Sequence, residues 1–496
     1  MEDFEYLYQI LKDNYPLFEV TKRIEGYDWL AQKADFETLI REAETNEDFA
    51  KAINKIVTSL NNLHSHPVSG GMVSYDQSSG PFAKAANMTT PEVADYWYGL
   101  MSKRPEPIRY FPFVAVYTAG EYVVAEVAPF PEVQAKVAPG MRVLKVNDLD
   151  VHDYARSRRG DTFLSFDPLR KRLYTPSLFL RSTNETLSVV LQDTSGSLAE
   201  MVLPYVSSWQ GSYQRLPVWQ SGSNTTKNVY TGVLVGGEVG YVHIRSLTTY
   251  DTPSAKEDGA LLRKFFESIK DLPALIIDIR NNGGGDERYY AAYIVGALSP
   301  GPVATTRRSV ARTGDYVRAF GSGGVEVSKD KLRASLNGEV LKKMPPEIFT
   351  GAFENPTESP YVVSPVRSIG YTGRVFLLTN DVVCSSSEGF AQFCQFTHWA
   401  TLVGGYTAGD GGGGRALNLT LPNSGIPIWF RGFMTLKQDW TSDVETHTIP
   451  DVLVEQSYED LMKYLDLVKS GKVLSGPDPE CDTVLREGLR LAVESK

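Results

Sequence analysis

Two short stretches hold residue types spaced for acyl-transfer chemistry. The first is Asp278-Ile-Arg-Asn-Asn-Gly-Gly-Gly285. Its three glycines follow a continuous apolar run over residues 274–280 and precede a helical pattern over 289–298. Backbone N–H groups bared at the positive end of a helix suit an anion, either a phosphate or the oxyanion of a tetrahedral intermediate. No glycine–Lys–Ser/Thr pattern and no GxGxxG follow the strand, which favours an oxyanion hole over a nucleotide loop. A tight turn without chemistry is the plain alternative. The second stretch is Asn380-Asp-Val-Val-Cys-Ser-Ser-Ser-Glu388. It sets three serines between the apolar run 374–380 and a helical pattern over 388–396. A hydroxyl on such a turn gains from the helix N-terminus and from free N–H groups. Serine-rich helix starts are also common caps, so the signal gains weight only beside the glycine loop.

A serine nucleophile needs a base. The next strand-loop, Gly404-Gly-Tyr-Thr-Ala-Gly-Asp410 and the glycines that follow, has no lysine, which leaves histidine. His64 sits before a glycine-rich break and can reach a cleft. His447, near Glu445 and Pro450-Asp451, is the rival. His243 lies inside a strand pattern and reads as structural, while His66, His152 and His398 have no supporting context.

These residues must be positioned by elements far apart in the chain. Phe4, Leu7 and Leu11 recur at helical spacing. A second helix is predicted from Thr45, capped with Asp48, along the stripe Phe49, Ile53, Ile56, Val57, Leu60 and Leu63. Pro67 and Ser69-Gly70-Gly71 break it, so His64 and His66 are expected at or just past its end. From Phe111 the texture turns to short β-branched runs. The segment 137–151, with Pro139-Gly140, a strand and a turn at Asn147-Asp148, resembles the core of a PDZ domain, a module that takes a peptide as an added strand. A generic β-hairpin is the alternative. From about Asn228, strands and helices alternate, which implies an α/β domain with a largely parallel sheet. A last helix is expected from about Tyr458, with Ser457 and Asp460 in capping positions.

The whole chain has 496 residues, 50 Lys+Arg, 60 Asp+Glu and a net charge of −10. That length predicts two or three domains. With 42% hydrophobic and 22% charged residues it reads as folded and soluble. The mild acidity argues against nucleic acid and anionic membrane as partners, and no run reaches the ~20 apolar residues of a membrane helix. Three cysteines do not make a disulfide framework, and six histidines leave little for a metal centre. No cofactor is expected. The start MEDFEYLYQI lacks the features of a secretory signal, so the expected location is cytoplasmic, or extracytoplasmic at the cell envelope if a leader has been removed.

DIRNNGGG, NDVVCSSSE, LNNLHSH and THTIPDVLV together resemble the tail-specific (C-terminal processing) and tricorn-core serine protease family. The resemblance implies an α/β fold: a crotonase/ClpP-like catalytic domain with a PDZ-like β-rich insert and a helical N-terminal segment. It divides the chain into a helical segment carrying the histidine (1–70), a connecting segment (71–105), a PDZ-like domain (106–206), the catalytic domain (226–456) and a C-terminal helical segment (457–496). The family's Leu-x-x-Gly-His-Thr becomes Leu60-Asn-Asn-Leu63-His64-Ser65. Its small-residue run Ser-Ala-Ser-Ala-Ser-Glu becomes Val383-Cys-Ser-Ser-Ser-Glu388, which puts the nucleophile on Ser385. Lysine-dependent members carry their lysine about 25 residues later, where this chain has Asp410, so the resemblance is to the histidine-using branch. It implies Glu445, or Asp443, as the carboxylate that completes the network, working through Ser65, and Gly284 or Gly283 with Ser386 as oxyanion donors.

The implied mechanism has Ser385 attack a carbonyl while His64 takes its proton and returns it to the leaving amine. The implied partner is a peptide or protein substrate, gripped by the PDZ-like part; a homo-oligomer is compatible with the sequence. Two rivals keep the fold: a lipophilic-ligand or peptide binder without chemistry, and a small-molecule esterase or amidase. A third makes Cys384 the nucleophile, with its side chain on a different side of the turn.

Overall fold

Apolar residues at helical spacing build an N-terminal cap of four helices. In the computed structural model these are α1 (Glu2–Asn14), α2 (Phe18–Glu25), α3 (Lys33–Arg41) and α4 (Asn46–Thr58). The structure describes residues 1–78, 89–104, 109–178, 181–182, 184–207, 209, 227–321, 323–411, 416–470 and 477–494. Thr45 caps α4: its hydroxyl accepts the Asp48 amide while the Asp48 carboxylate accepts the Thr45 amide. Phe4, Leu7, Ile53 and Ile56 turn inward and share one core with Trp29, Ile428 and Phe430. The helix stops at Thr58, earlier than its apolar stripe predicts. His64 therefore sits in a loop, not at a helix end. That loop leads into β1 (His66–Pro67), which pairs antiparallel with Trp429 and Ile428. Two further helices, α5 (Gly70–Ser78) and α6 (Pro91–Ser102), complete this region.

The β-rich insert is built on one seven-stranded antiparallel sheet, with two small two-stranded antiparallel ladders beside it. Its main strands are β2 (Phe113–Thr118), β3 (Glu121–Val127), β4 (Arg142–Val146), β5 (Thr186–Gln192) and β6 (Leu198–Pro204), in the order β6-β5-β4-β3-β2. Period-2 alternation gives it two apolar faces. Phe113, Ala115 and Val124 pack with Val151 and Ala155 of α7 (Val151–Ser157). Val114, Val116 and Val123 face the other way.

The α/β domain holds β7 (Val229–Leu234), β8 (Val239–Ile244), α8 (Pro253–Ser268), β9 (Ala274–Asp278), α9 (Glu287–Tyr290), β10 (Arg374–Thr379), β11 (Cys384–Ser385), α10 (Ser386–Thr397), β12 (Thr401–Gly404), β13 (Gly409–Gly411), β14 (Pro427–Phe430), α11 (Asp443–Thr446) and β15 (Val452–Leu453). Its central sheet runs β7-β8-β9-β10-β12-β15. The first pair is antiparallel and the rest parallel. Both faces are covered, as a parallel sheet requires. Ile277, Leu377 and Leu402 pack on Leu262 of α8 and Phe390 of α10. The alternate residues Ile276, Leu378 and Val403 pack on Leu485 and Leu489.

The chain after residue 456 does not form a unit of its own. Leu461 and Leu465 of α12 (Tyr458–Lys469) cover the second face of the insert. Leu485 and Leu489 belong to α13 (Thr483–Glu494), which covers the catalytic sheet. The boundaries expected at 105/106 and 226 lie outside the described residues, as do the glycines at 412–414. No helix among the described residues is long and apolar enough to cross a membrane.

A buried ion set fastens α13 to the end of β9. Arg280 donates Nε and Nη2 to Asp278 at 3.0 and 2.7 Å, and Nη1 and Nη2 to Asp482 at 2.7 and 2.8 Å. Removing one partner of such a set strands a buried charge. Asp482→Ala is therefore expected to cost about 3–5 kcal/mol in equilibrium denaturation, and a loss below about 1 kcal/mol would show that α13 docks by apolar contact alone.

Candidate active site

The parallel pairing of β9 with β10 brings the glycine loop and the serine turn side by side at the carboxyl ends of both strands. A ladder of hydrogen bonds joins them. The Asn281 amide donates to Asn380 Oδ1 at 2.9 Å, and Asn380 Nδ2 donates back to Asn281 Oδ1 at 2.8 Å. Ser386 Oγ donates to the Gly285 carbonyl at 2.6 Å, and Ser387 Oγ to Asn282 Oδ1 at 2.7 Å. Cys384 Sγ donates to the Gly283 carbonyl at 3.2 Å. Of the turn's polar side chains this leaves Ser385 for other work. Its backbone is at φ 54° and ψ −128°, a conformation costing about 1–3 kcal/mol that persists only where the surroundings impose it.

Ser385 Oγ lies 3.1 Å from His64 Nε2, across 321 residues of chain. His64 Nδ1 lies 2.7 Å from Asp410 Oδ2. An ionised carboxylate only accepts, so Nδ1 carries the hydrogen and Nε2 presents a lone pair to the serine hydroxyl. The His64 loop is set locally: Asn62 Oδ1 accepts both the His64 amide at 3.1 Å and Ser65 Oγ at 3.0 Å. Ser65 Oγ in turn accepts the Arg431 amide at 3.1 Å. Ser65 thus braces the loop against Arg431, just past the end of β14, and does not relay to Glu445.

Asp410 reaches His64 because of an irregularity. Between β11 and β13, Cys384 pairs with Gly409 and Ser385 with Gly411, which leaves Asp410 as the extra residue of a bulge. Its φ is 59°. Bulges re-aim a side chain beside a site in this way. Burial opposes charge on Asp410, but His64 and Arg431 outweigh it and hold the carboxyl well below the usual carboxylate range. Arg431 Nη1 is 3.0 Å from Asp410 Oδ1.

Other expected members are elsewhere. Glu445, on α11, accepts Arg23 Nε and Nη2 at 2.6 and 2.7 Å, a pairing of the cap with the catalytic domain. Asp443 is buried, accepts the Gly411 amide at 2.8 Å, and is pushed up to about 7 by burial, with Asp410 and Glu388 adding to the rise and Arg431 opposing it. His447 is buried against Phe166 and Tyr406 with Nδ1 2.6 Å from the Thr407 carbonyl; burial lowers it to about 4. The Gly284 amide donates to Asn282 Oδ1 at 2.9 Å, so it is not free for an oxyanion. Ser386 opens α10, where the first amides have no helical carbonyl to reach.

Gly284 matters for a different reason. At φ 103° a Cβ there would lie 2.7 Å from Ser385 Cβ and 2.9 Å from both the Cys384 carbonyl oxygen and the Ser386 amide. Gly284→Ala is expected to push the serine turn out of register and lower kcat on a peptide substrate by about 100-fold. An unchanged kcat would show that the turn yields without moving Ser385.

Residues 238–454 match the model of peptidase family S41. The α/β domain belongs to that family. Serine-type peptidase chemistry comes with it, and the S41 match spans the glycine loop, the serine turn and Asp410, while His64 lies outside it. Solved structures of mature CPAF share the fold across nearly the whole chain. One is 16% identical with a TM-score of 0.57, covering 94% of this chain and 95% of that one. CPAF complexed with lactacystin is 15% identical with a TM-score of 0.55, covering 94% and 96%. No curated protein matches the chain.

Sequence reasoning singled out position 410 as the place where a lysine is missing and stopped there. The signal for more was present: an acidic residue in a run of glycines, at the position where the resemblance puts a lysine in the lysine-dependent members.

Proposed function

We propose that the protein is a serine endopeptidase in which Ser385 is the nucleophile, His64 the general base and Asp410 the carboxylate that orients His64. The observation that carries this is the unbroken chain Asp410–His64–Ser385, at 2.7 and 3.1 Å, assembled from three separate segments. Ser385 attacks the scissile carbonyl and passes its proton to His64 Nε2. Asp410 stabilises the imidazolium without itself becoming protonated. Amides of the serine turn and the glycine loop, Ser386 and Gly283, hold the oxyanion; losing one such donor costs about 3–4 kcal/mol in comparable sites. His64 then gives its proton to the leaving amine. Water repeats the cycle on the acyl-Ser385 ester and releases the acid product.

The insert is read as a PDZ-like substrate grip. Two features support this. Among the described residues its sheet ends on β6, where Leu198 and Val202 are exposed and open to strand addition. Tyr174 of the insert donates its hydroxyl to Asp381 Oδ2 at 2.6 Å, on the segment leading to Ser385. Digestion of a peptide library, with a fluorophosphonate probe run alongside, tests the function. Peptide cleavage and labelling of the same serine support it. Labelling with hydrolysis of small esters but no peptide cleavage would replace it with an esterase.

A further inference from the structure

We propose that Arg431 is a positioning residue, a buried cation that keeps Asp410 ionised and aimed at His64 while a second buried carboxyl, Asp443, stands beside it. The proposal rests on the reading of Ser385, His64 and Asp410 given above.

Arg431 is 2% exposed, Asp410 5% and Asp443 0%. Two carboxylates sharing one dry site do not both ionise near neutral pH, because the second charge is resisted by the first and by desolvation. Something must decide which one keeps the charge. Together with His64, Arg431 biases the choice by distance: Nη1 is 3.0 Å from Asp410, whereas Nη2 is 4.0 Å from Asp443. The guanidinium does not depend on either carboxylate for its place. Nε donates to the Phe433 carbonyl at 3.0 Å, and Nη2 to the Gly411 carbonyl at 3.0 Å and to Thr435 Oγ1 at 2.6 Å. Asp443 is likewise held by neutral groups, the Gly411 and Val444 amides, each at 2.8 Å. The Gly411 amide thus touches one carboxyl and its carbonyl touches the cation, one residue from Asp410.

Among the described residues, the other charged or titratable groups facing this cluster are few. His64 faces Asp410 from the loop after α4, and Tyr15 approaches from the end of α1. Glu388 on α10 and Lys437 act on Asp443. Burial raises Glu388 and lowers Lys437. Among the described residues, Arg431 is left as the permanent cation in contact with Asp410, beside His64. Without it, Asp410 and Asp443 share protons, and His64 loses its anion in part of the population as the pH falls.

The test is the pH profile of kcat for peptide cleavage in the full chain. In Arg431→Gln the acid limb is expected to move up by about one pH unit or more, with kcat at pH 6 lowered about tenfold or more and KM little changed. In Arg431→Gln/Asp443→Asn the competing carboxyl is gone, and the limb is expected to return toward that of Asp443→Asn alone. A residue that only fills space predicts no such recovery. If Arg431→Gln does not fold by itself, the double variant and Arg431→Lys supply the reading, since Lys keeps the charge and is expected to keep the acid limb in place. An Arg431→Gln profile at the wild-type position, or a double variant no better than the single, overturns the proposal. An enzyme that still needs Ser385 and Asp410 in that case loses only the role of Arg431; one indifferent to Asp410→Asn loses the underlying reading instead.

Discussion

Ser385→Ala is expected to lower kcat by about 10⁶-fold with little change in KM, and to end fluorophosphonate labelling. In the proposed mechanism Ser385 is the group whose removal leaves nothing to form the acyl-enzyme. The remaining amides hold an oxyanion but have no nucleophile to serve, so a small residual rate over water is the most that survives. The fold is not at stake. Ser385 makes one side-chain hydrogen bond to His64, and its loss is worth about 1 kcal/mol at most. His64→Ala should reach nearly the same floor, because nucleophile and base act as a unit. Labelling of Ser385→Ala at the wild-type rate would mean that another residue, Cys384 first among them, is the nucleophile.

Asp410→Asn carries the second largest effect, a loss in kcat of about 10⁴-fold. The amide is nearly isosteric, so the side chain stays in its bulge. Its NH₂ can donate to Nδ1, which leaves the hydrogen on Nε2, the wrong tautomer to accept the Ser385 proton. It also leaves Arg431 without its partner anion. Glu445→Gln is the matched control. Glu445 pairs with Arg23 at a half-buried seam, so its variant is expected to cost about 1 kcal/mol of stability and to leave kcat near wild type. Single-turnover kinetics on the same peptide distinguish the two. A collapse in Glu445→Gln with an active Asp410→Asn would return the third role to the C-terminal acidic pair.

Much of the α/β domain was legible from local pattern. The apolar runs at 274–280 and 374–380 became buried parallel strands because only such strands are apolar on both faces. The glycine loop and the serine turn announced themselves because their residue types are chosen by backbone geometry: a Cβ at Gly284 has no room, and Ser385 must bear a positive φ. The end of α4 was less legible. Its stripe continues through Leu60, which is buried although it lies beyond the helix, since a loop residue can fill a core as well as a helical one.

The third carboxylate shows the limit most clearly. The acidic residues near the Pro450-Asp451 motif stood closest to a familiar pattern, and Glu445 was the natural choice. Arg23, more than 400 residues earlier in the chain, takes its carboxylate instead. Asp410 meets His64 through a one-residue bulge whose existence depends on the pairing of β11 with β13. The sequence by itself determined the chemistry available: a serine at a strand-to-helix turn, a glycine loop beside it, a histidine ahead of a break and no lysine where one would compete. Only the tertiary structure decided which groups meet. Contact among Ser385, His64, Asp410 and Arg431 is a property of strand register and loop closure over hundreds of residues, and no local spacing encodes a distance that the packed sheet alone defines.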